Sequence, residues 1–280
     1  MKIRAGYRIA LECPYPTPML LKLSVRPERL GDLLTPDDVQ ASGGVPVARC
    51  ADEFGNRVTR LVAPAGTTVF ASDFLIADSG APDVQNWAAR QVPVGDLPPE
   101  ALPFLLGSRY CETDLMSDLA WSLFAQVPEG WARVQAIVDY VHRRITFGYP
   151  HARSTRTALE GHQEQVGVCR DYAHLAVTLC RAMNIPARYC NGYLGDIGIP
   201  PVDAPMDFSA WFEVYLEGGW YTFDARHNTP RIGRVVIARG RDAADVAMTH
   251  SFGPSRLTEF AVICEEVTDA VKAPQLIAAE

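Results

Sequence analysis

Residues 167–173 read Gly167-Val168-Cys169-Arg170-Asp171-Tyr172-Ala173 and place a cysteine where an amphipathic helix begins. Apolar residues three and four positions apart predict that this helix continues to about Asn184. The unsatisfied N–H groups and the positive dipole end at a helix start stabilise a thiolate. We therefore expect the pKa of Cys169 to lie below the value of about 8.5 for a free cysteine, which would make its sulfur a nucleophile near neutral pH.

The segments around this helix predict a mixed α+β core. Apolar residues at helical spacing precede it over residues 117–124 and 131–142. A strand over 187–193 follows it, and then come the two arms of a hairpin, 210–216 and 220–224. We predict a three-residue hairpin turn, Glu217 to Gly219.

The first part of the chain reads as β structure. Short, partly alternating segments separated by Gly, Pro and Asp turns predict a small β-sandwich. A Pro-rich linker from Val92 to Pro103 is the best candidate for a domain boundary. We predict a β-rich N-terminal domain over residues 1–95, a catalytic core over 104–255, and a C-terminal strand and tail over 256–280.

Composition excludes several classes of protein. The chain has 280 residues with 33 acidic and 26 basic side chains, and its net charge of −7 argues against a nucleic-acid surface. It has neither an apolar run of about 18 residues nor an apolar signal region, so we expect no membrane segment. Seven cysteines without C-x-x-C spacing do not form a recognisable disulfide framework, which favours the reducing cytoplasm.

Four segments, taken in order, resemble the transglutaminase-like superfamily of papain-type cysteine enzymes. They are Gly167–Leu175, Ile185–Tyr189, Asp207–Val214 and Trp220–Asp224. The resemblance covers roughly residues 104–255, and the N-terminal part is similar to the β domain that accompanies such cores in bacterial cysteine protease-like members. It implies a papain-like, transglutaminase-like fold and a Cys–His–Asp triad that needs no metal or organic cofactor.

The resemblance assigns two triad members directly and leaves the third open. Cys169 falls at the nucleophile position and Asp224 at that of the acid which orients the base. Ser209 occupies the usual histidine position, and a hydroxyl has no useful basicity near neutral pH. Our substitute is His227, which the predicted hairpin register would set opposite residue 209, about 5 Å away. Since residues 224 and 227 of an unbroken strand face opposite ways, this hypothesis needs a bulge or turn near residues 225–226.

Other histidines have weaker claims. His174 lies about 140° around the helix from Cys169 and reads as a structural group, while His151 and His250 are the next candidates for the base. A metal site built from Cys169, His174, Cys180 and Cys190 matches no compact zinc spacing.

Residues near the triad positions are candidates for contact with substrate. Ser209 and Trp211 could line a cleft, although a core aromatic explains Trp211 equally well. Gln163 and Gln165 could donate to an oxyanion, but surface loop residues are the likelier interpretation. Arg226 begins a group of five arginines that also includes Arg231, Arg234, Arg239 and Arg241. Such a group could bind a substrate carboxylate or phosphate, or simply pair with acidic side chains.

The predicted function is acyl transfer on a peptide or amide substrate through a Cys169 thioester. Water as acceptor gives a protease or amidase, and an amine gives a transglutaminase. The alternative, favoured by Ser209, is a catalytically silent relative that binds a peptide or protein partner in the same cleft. The sequence leaves the oligomeric state open.

Overall fold

The computed structural model describes residues 1–267, so the predicted C-terminal tail lies outside the described residues from 268 onward. Six strands come first, the helices follow in the middle of the chain, and further strands follow them, as in the α+β fold that the sequence predicted. The N-terminal strands are β1 (Lys2–Cys13), β2 (Thr17–Leu21), β3 (Gln40–Ala41), β4 (Ala48–Ala51), β5 (Arg57–Ala63) and β6 (Gly66–Ala77). The helices are α1 (Thr113–Phe124), α2 (Trp131–Arg144), α3 (Ala158–Glu164) and α4 (Cys169–Ala182). The remaining strands are β7 (Thr146–Phe147), β8 (Val166–Gly167), β9 (Ala187–Tyr193), β10 (Ser209–Leu216), β11 (Gly219–Phe223), β12 (Val235–Gly240), β13 (Thr249–Ser251) and β14 (Arg256–Glu266).

The N-terminal strands form two four-stranded sheets, which confirms the sandwich-like prediction. One sheet has the order β14-β1-β6-β3 and the other the order β13-β2-β5-β4. Each sheet therefore takes one of its strands from the end of the chain, because β13 and β14 pair antiparallel with β2 and β1. The predicted boundaries at residues 95, 104 and 255 stay predictions.

The core sheet has the order β11-β10-β9-β12 and packs against α4. Buried side chains of α1, α2 and α4 form a core cluster with Phe212, Val214 and Phe223 of the hairpin. A second cluster joins the N-terminal sheets to β9 and β12, with Tyr7 and Phe74 packed alongside Tyr193. Burial of these apolar surfaces stabilises the core and fixes α4 relative to the hairpin.

The start of α4 is fixed by a buried carboxylate. Asp171 Oδ2 accepts the backbone N–H of Val168 at 2.8 Å and contacts Arg156 Nη1 at 3.1 Å. Gly167 leaves room for this carboxylate, since a Cβ there would lie 2.6 Å from Asp171 Oδ2. Local packing therefore determines where the helix, and with it Cys169, begins.

The hairpin register differs from the predicted one. Leu216 pairs with Gly219 across a two-residue turn, and Phe212 with Phe223 is the last pair. Gly218 and Gly219 have φ values of +93° and +133°, which glycine adopts without strain and which permit this tighter turn. Continued pairing would set residue 226 opposite Ser209, so the prediction that His227 faces residue 209 across the strands was wrong.

No helix among residues 1–267 has the length and apolar character that a membrane span requires.

Candidate active site

A cavity of about 370 Å³ lies at the start of α4, and Cys169, Ser209, Arg226 and His227 all line it. Its walls come from four places: the start of α4, the Phe147–Ala152 region, the loop before β10, and the turn after β11. Apolar side chains provide much of the lining: Phe147, Leu194, Ile199, Val202, Met206 and Phe208. Among the described residues, His227 is the histidine that shares this cavity with Cys169. His151 and His250 are exposed and do not line it.

Asp224 and His227 are joined by a compact turn after β11. Asp224 Oδ1 accepts the backbone N–H groups of Arg226 and His227, each at 3.0 Å. The N–H of Asn228 donates to the Asp224 carbonyl at 2.8 Å, and Asn228 has a φ of +51°. This turn supplies the departure from strand geometry that the His227 hypothesis requires, because it brings residues 224 and 227 to the same side.

The His227 ring is oriented by the carboxylate. Its Nδ1 lies 2.9 Å from Asp224 Oδ2. An ionised carboxylate can only accept, so Nδ1 carries the proton and Nε2 is left as the basic nitrogen.

Asp224 is buried and ionised. Burial alone would favour its neutral form, but Arg234 and the hydrogen bond from His227 hold its pKa well below the ordinary value. Arg234 Nη2 donates to Asp224 Oδ2 at 2.9 Å. The carboxylate therefore keeps its charge at neutral pH and can stabilise a protonated His227.

The environment of Cys169 differs from the sequence expectation. Burial raises the pKa of the Cys169 thiol to about 11, and Asp207 and Asp224 act in the same direction. A hydrogen bond from the backbone N–H of Ala210 and the charge of Arg226 oppose this shift but do not overcome it. The prediction of a lowered pKa was wrong, because desolvation of the sulfur outweighs the helix start. The resting thiol therefore keeps its proton near pH 7.

The candidate substrate-binding residues occupy different environments. Ser209 lines the cavity, and its Oγ has no hydrogen-bond partner among the described residues. Arg226 also lines the cavity, with its Cζ 3.8 Å from the centroid of the Phe147 ring. Trp211 does not: it is 1% exposed, and its ring packs 4.8 Å from Arg234 Cζ. Its placement matches the core interpretation and corrects the prediction that it walls the cleft.

The remaining candidates lie elsewhere. Gln163 and Gln165 are exposed and outside the cavity lining. His174 is buried, its Nε2 accepts the N–H of Ala243 at 3.1 Å, and burial lowers its pKa well below the ordinary value, as suits a structural histidine. Within residues 1–267 no group of three or more His, Cys, Asp or Glu side chains could hold a metal ion.

Sequence reasoning missed two charged residues behind the site, Arg234 and Asp83. Arg234 is one of the five clustered arginines, but nothing in the sequence distinguished it from its neighbours. Asp83 lies in the irregular segment after β6, and its carboxylate binds Arg234 Nε at 3.0 Å. It carried no local signal because its partner lies 151 positions away.

Comparison with known proteins identifies the family. The sequence model of the transglutaminase-like superfamily matches residues 118–225. A candidate cysteine protease from Cytophaga hutchinsonii, known from a crystal structure, is 30% identical with a TM-score of 0.83, over 100% of this chain and 94% of that one. The chain belongs to the transglutaminase-like superfamily.

Two further matches are more limited. An uncharacterised protein of Mycobacterium leprae (strain TN) is 35% identical over 88 residues, which is 29% of this chain and 30% of that protein. The match therefore spans less than a third of that curated relative. The periplasmic domain of TgpA from Pseudomonas aeruginosa, bound to ethylmercury, is 16% identical over 80% of this chain and 90% of that one. Its TM-score of 0.39 is too low to support an argument.

Proposed function

We propose that this protein transfers acyl groups from a peptide or amide substrate through a thioester on Cys169. The observation that carries the proposal is the shared cavity: a cysteine and a histidine line it, and the histidine Nδ1 is held 2.9 Å from a buried carboxylate. Nucleophile, base and orienting acid are the three groups that thiol catalysis requires.

In the proposed reaction His227 Nε2 takes the Cys169 proton as the sulfur attacks the substrate carbonyl carbon. The carbonyl electrons move to the oxygen, and backbone N–H groups around Cys169 stabilise the oxyanion. Collapse of this intermediate breaks the C–N bond, and protonated His227 gives its proton to the leaving amine. Water or a second amine, deprotonated by His227, then attacks the thioester and restores the thiol. No metal or organic cofactor takes part in this scheme.

The raised pKa of Cys169 favours proton transfer during attack over a preformed thiolate–imidazolium pair. A sulfur that holds its proton at neutral pH gains reactivity only when a base removes it. The proposal therefore assigns most of the activation to His227. The helix start contributes through its N–H groups, which would stabilise the oxyanion as its charge develops.

Alkylation by iodoacetamide tests this function, with Cys50 as an internal reference. Cys50 is exposed on β4 and lies outside the cavity, whereas Cys169 is only partly exposed. With its raised pKa and no base, Cys169 should react more slowly than Cys50 near pH 7. If His227 acts as base, Cys169 is expected to react at least tenfold faster than Cys50, as measured by mass spectrometry of each labelled peptide.

The same experiment distinguishes the second candidate function, a catalytically silent protein that binds a peptide or protein partner. Ser209 at the usual histidine position is the observation that favours it. In that case Cys169 reacts more slowly than Cys50 from pH 6 to 9, and His227→Gln leaves both rates unchanged. That result would overturn the acyl-transfer proposal.

Arg226 suggests a preference within the proposed activity. It lines the cavity, and within residues 1–267 it forms no ion pair, so its guanidinium is available to a substrate carboxylate. Asp207 lines the same cavity, and burial raises its pKa. We propose that amide substrates with a carboxylate near the scissile bond bind beside Arg226.

Replacing Arg226 by glutamine is expected to lower kcat/KM for such acidic substrates about tenfold, because a charged hydrogen bond is worth about 1.5 kcal/mol or more. Neutral substrates should change less than threefold. Arg109→Gln is the matched control, since Arg109 is exposed and lies over the Tyr110 ring outside the cavity. Equal losses on acidic and neutral substrates would contradict the assignment.

A further inference from the structure

The Asp224–His227 pair is the outer end of a longer chain of charges. Arg234, which is 8% exposed, donates from Nη2 to Asp224 Oδ2 at 2.9 Å. The indole of Trp211 packs against the same guanidinium. A basic ring, an anion and a cation thus follow one another in the order His227, Asp224, Arg234. The carboxylate that orients His227 is itself held by a fixed cation.

Asp83 holds the other side of that cation. Both of its carboxylate oxygens lie 3.0 Å from Arg234 Nε. Its backbone N–H donates to the Arg231 carbonyl at 2.9 Å, and its Oδ2 accepts the Arg231 N–H at 2.9 Å. These bonds, with the bridge between Pro82 and Ile232, anchor the segment after β6 to the stretch just before β12 that contains Arg234.

Asp224 binds more groups than the His227 ring. Its two oxygens serve four donors: two backbone N–H groups, the His227 ring and Arg234. The guanidinium offsets the cost of burying the carboxylate and fixes Oδ2, the atom that binds His227. Its positive charge also offsets part of the negative charge that Asp224 presents to the ring.

We propose that Arg234 and Asp83 are positioning residues of the active site: Asp83, from the N-terminal part, fixes Arg234, and Arg234 fixes the Asp224 carboxylate that orients His227. The inference rests on the proposed role of His227. It gives the predicted N-terminal domain a part in catalysis, because the segment that it contributes completes the site.

The test is the pH–rate profile of Cys169 alkylation, together with the NMR titration of the His227 ring. The other charged or titratable groups around this ring are Asp224 and Arg226 on its own turn, Arg231 after it, Asp196 and Asp207 on the loop before β10, and Cys169 on α4. All of them are retained in the variants. Arg234→Gln removes a cation close to the ring, so the acid limb and the NMR midpoint are expected to move up by about one pH unit.

Two companion variants separate charge from folding. Arg234→Lys keeps the cation and should leave the acid limb within about 0.3 pH units of the unmodified protein while lowering the plateau rate, because an ammonium cannot bind both carboxylates in the same planar way. Asp83→Asn removes the anchor and is expected to lower the plateau rate about tenfold. Arg239→Gln is the control, as Arg239 lies on β12, five positions after Arg234, but pairs with Glu213 and Glu28 away from the cavity.

The outcomes are distinct. Suppose that His227→Gln abolishes the acid limb of the pH–rate profile but Arg234→Gln moves neither this limb nor the NMR midpoint. That result would overturn this inference and leave the proposed function standing. A profile insensitive to His227→Gln would overturn the proposed function as well. If Arg234→Gln does not fold, Asp83→Asn decides, since a plateau rate equal to that of the unmodified protein would refute the anchoring role.

Discussion

Replacing His227 by alanine is expected to slow thioester formation on Cys169 about a thousandfold. A positioned general base contributes a factor of about 100 to 10,000. The contribution of His227 is expected to be large because the pKa of the Cys169 thiol is raised. Without a base, almost no Cys169 thiolate exists near pH 7. The measurement is single-turnover acylation with an activated ester or amide.

Residue 209 offers a second way to supply the imidazole. Ser209 lines the cavity with Cys169 at the position where the family's histidine is expected. Ser209→His in the His227→Ala background is therefore expected to raise the acylation rate at least tenfold above that of His227→Ala. His151→Ala and His250→Ala are the controls and should leave the rate unchanged, because both side chains are exposed and outside the cavity lining. A His227→Ala rate within threefold of the original would show that another group accepts the proton.

Replacing Asp224 by asparagine should lower activity about as much as His227→Ala does, and it should lower stability more. The carboxylate oxygens accept four hydrogen bonds, whereas an amide has one oxygen and must turn its NH₂ toward donors. Arg234 would also lose one of its two anionic partners while buried. We expect a loss of about 3 kcal/mol in the free energy of unfolding and about a thousandfold in acylation rate.

The pH dependence of stability provides a check on the same residue. Because the folded-state pKa of Asp224 lies below its ordinary value of 3.8, its contribution is complete above that value and is lost as the pH falls through the folded-state pKa. The free energy of unfolding, measured by denaturant melts between pH 5 and 2, should therefore fall less with pH in Asp224→Asn than in the unmodified protein.

Asp37→Asn is the matched control for Asp224→Asn. Asp37 is a buried aspartate that pairs with Arg57 far from the cavity lining. It should cost stability without changing the acylation rate of the folded protein. If Asp224→Asn acylates at the rate of the unmodified protein, the orienting role of Asp224 is wrong.

The sequence was most informative where one local pattern determines one element. It predicted β9 over its observed range, and it predicted α2 and α4 to within a few residues of their ends. The periodicity of α4 also identified the cysteine at its start. The two helices follow from apolar side chains three or four positions apart, so a single segment carries the signal.

Longer-range effects were not available from the sequence. The hairpin register depended on a turn shorter by one residue, which Gly218 and Gly219 allow but do not dictate. The raised pKa of Cys169 results from desolvation by the assembled cavity, and no property of α4 alone reports it. Asp83 and Arg234 meet only in the folded chain. Electrostatics and site geometry therefore had to come from the structure, whereas the sequence alone was enough to single out Cys169 as the proposed nucleophile.

The pairing of β1 with β14 bears on how the chain folds during synthesis. Ile3 lies opposite Glu266, so this sheet pairs strands about 260 positions apart in the chain. Closing so long a loop is entropically costly, and β1 keeps an unpaired edge until β14 emerges from the ribosome. We expect nascent chains that stop before Arg256 to aggregate through this edge and to need chaperone protection.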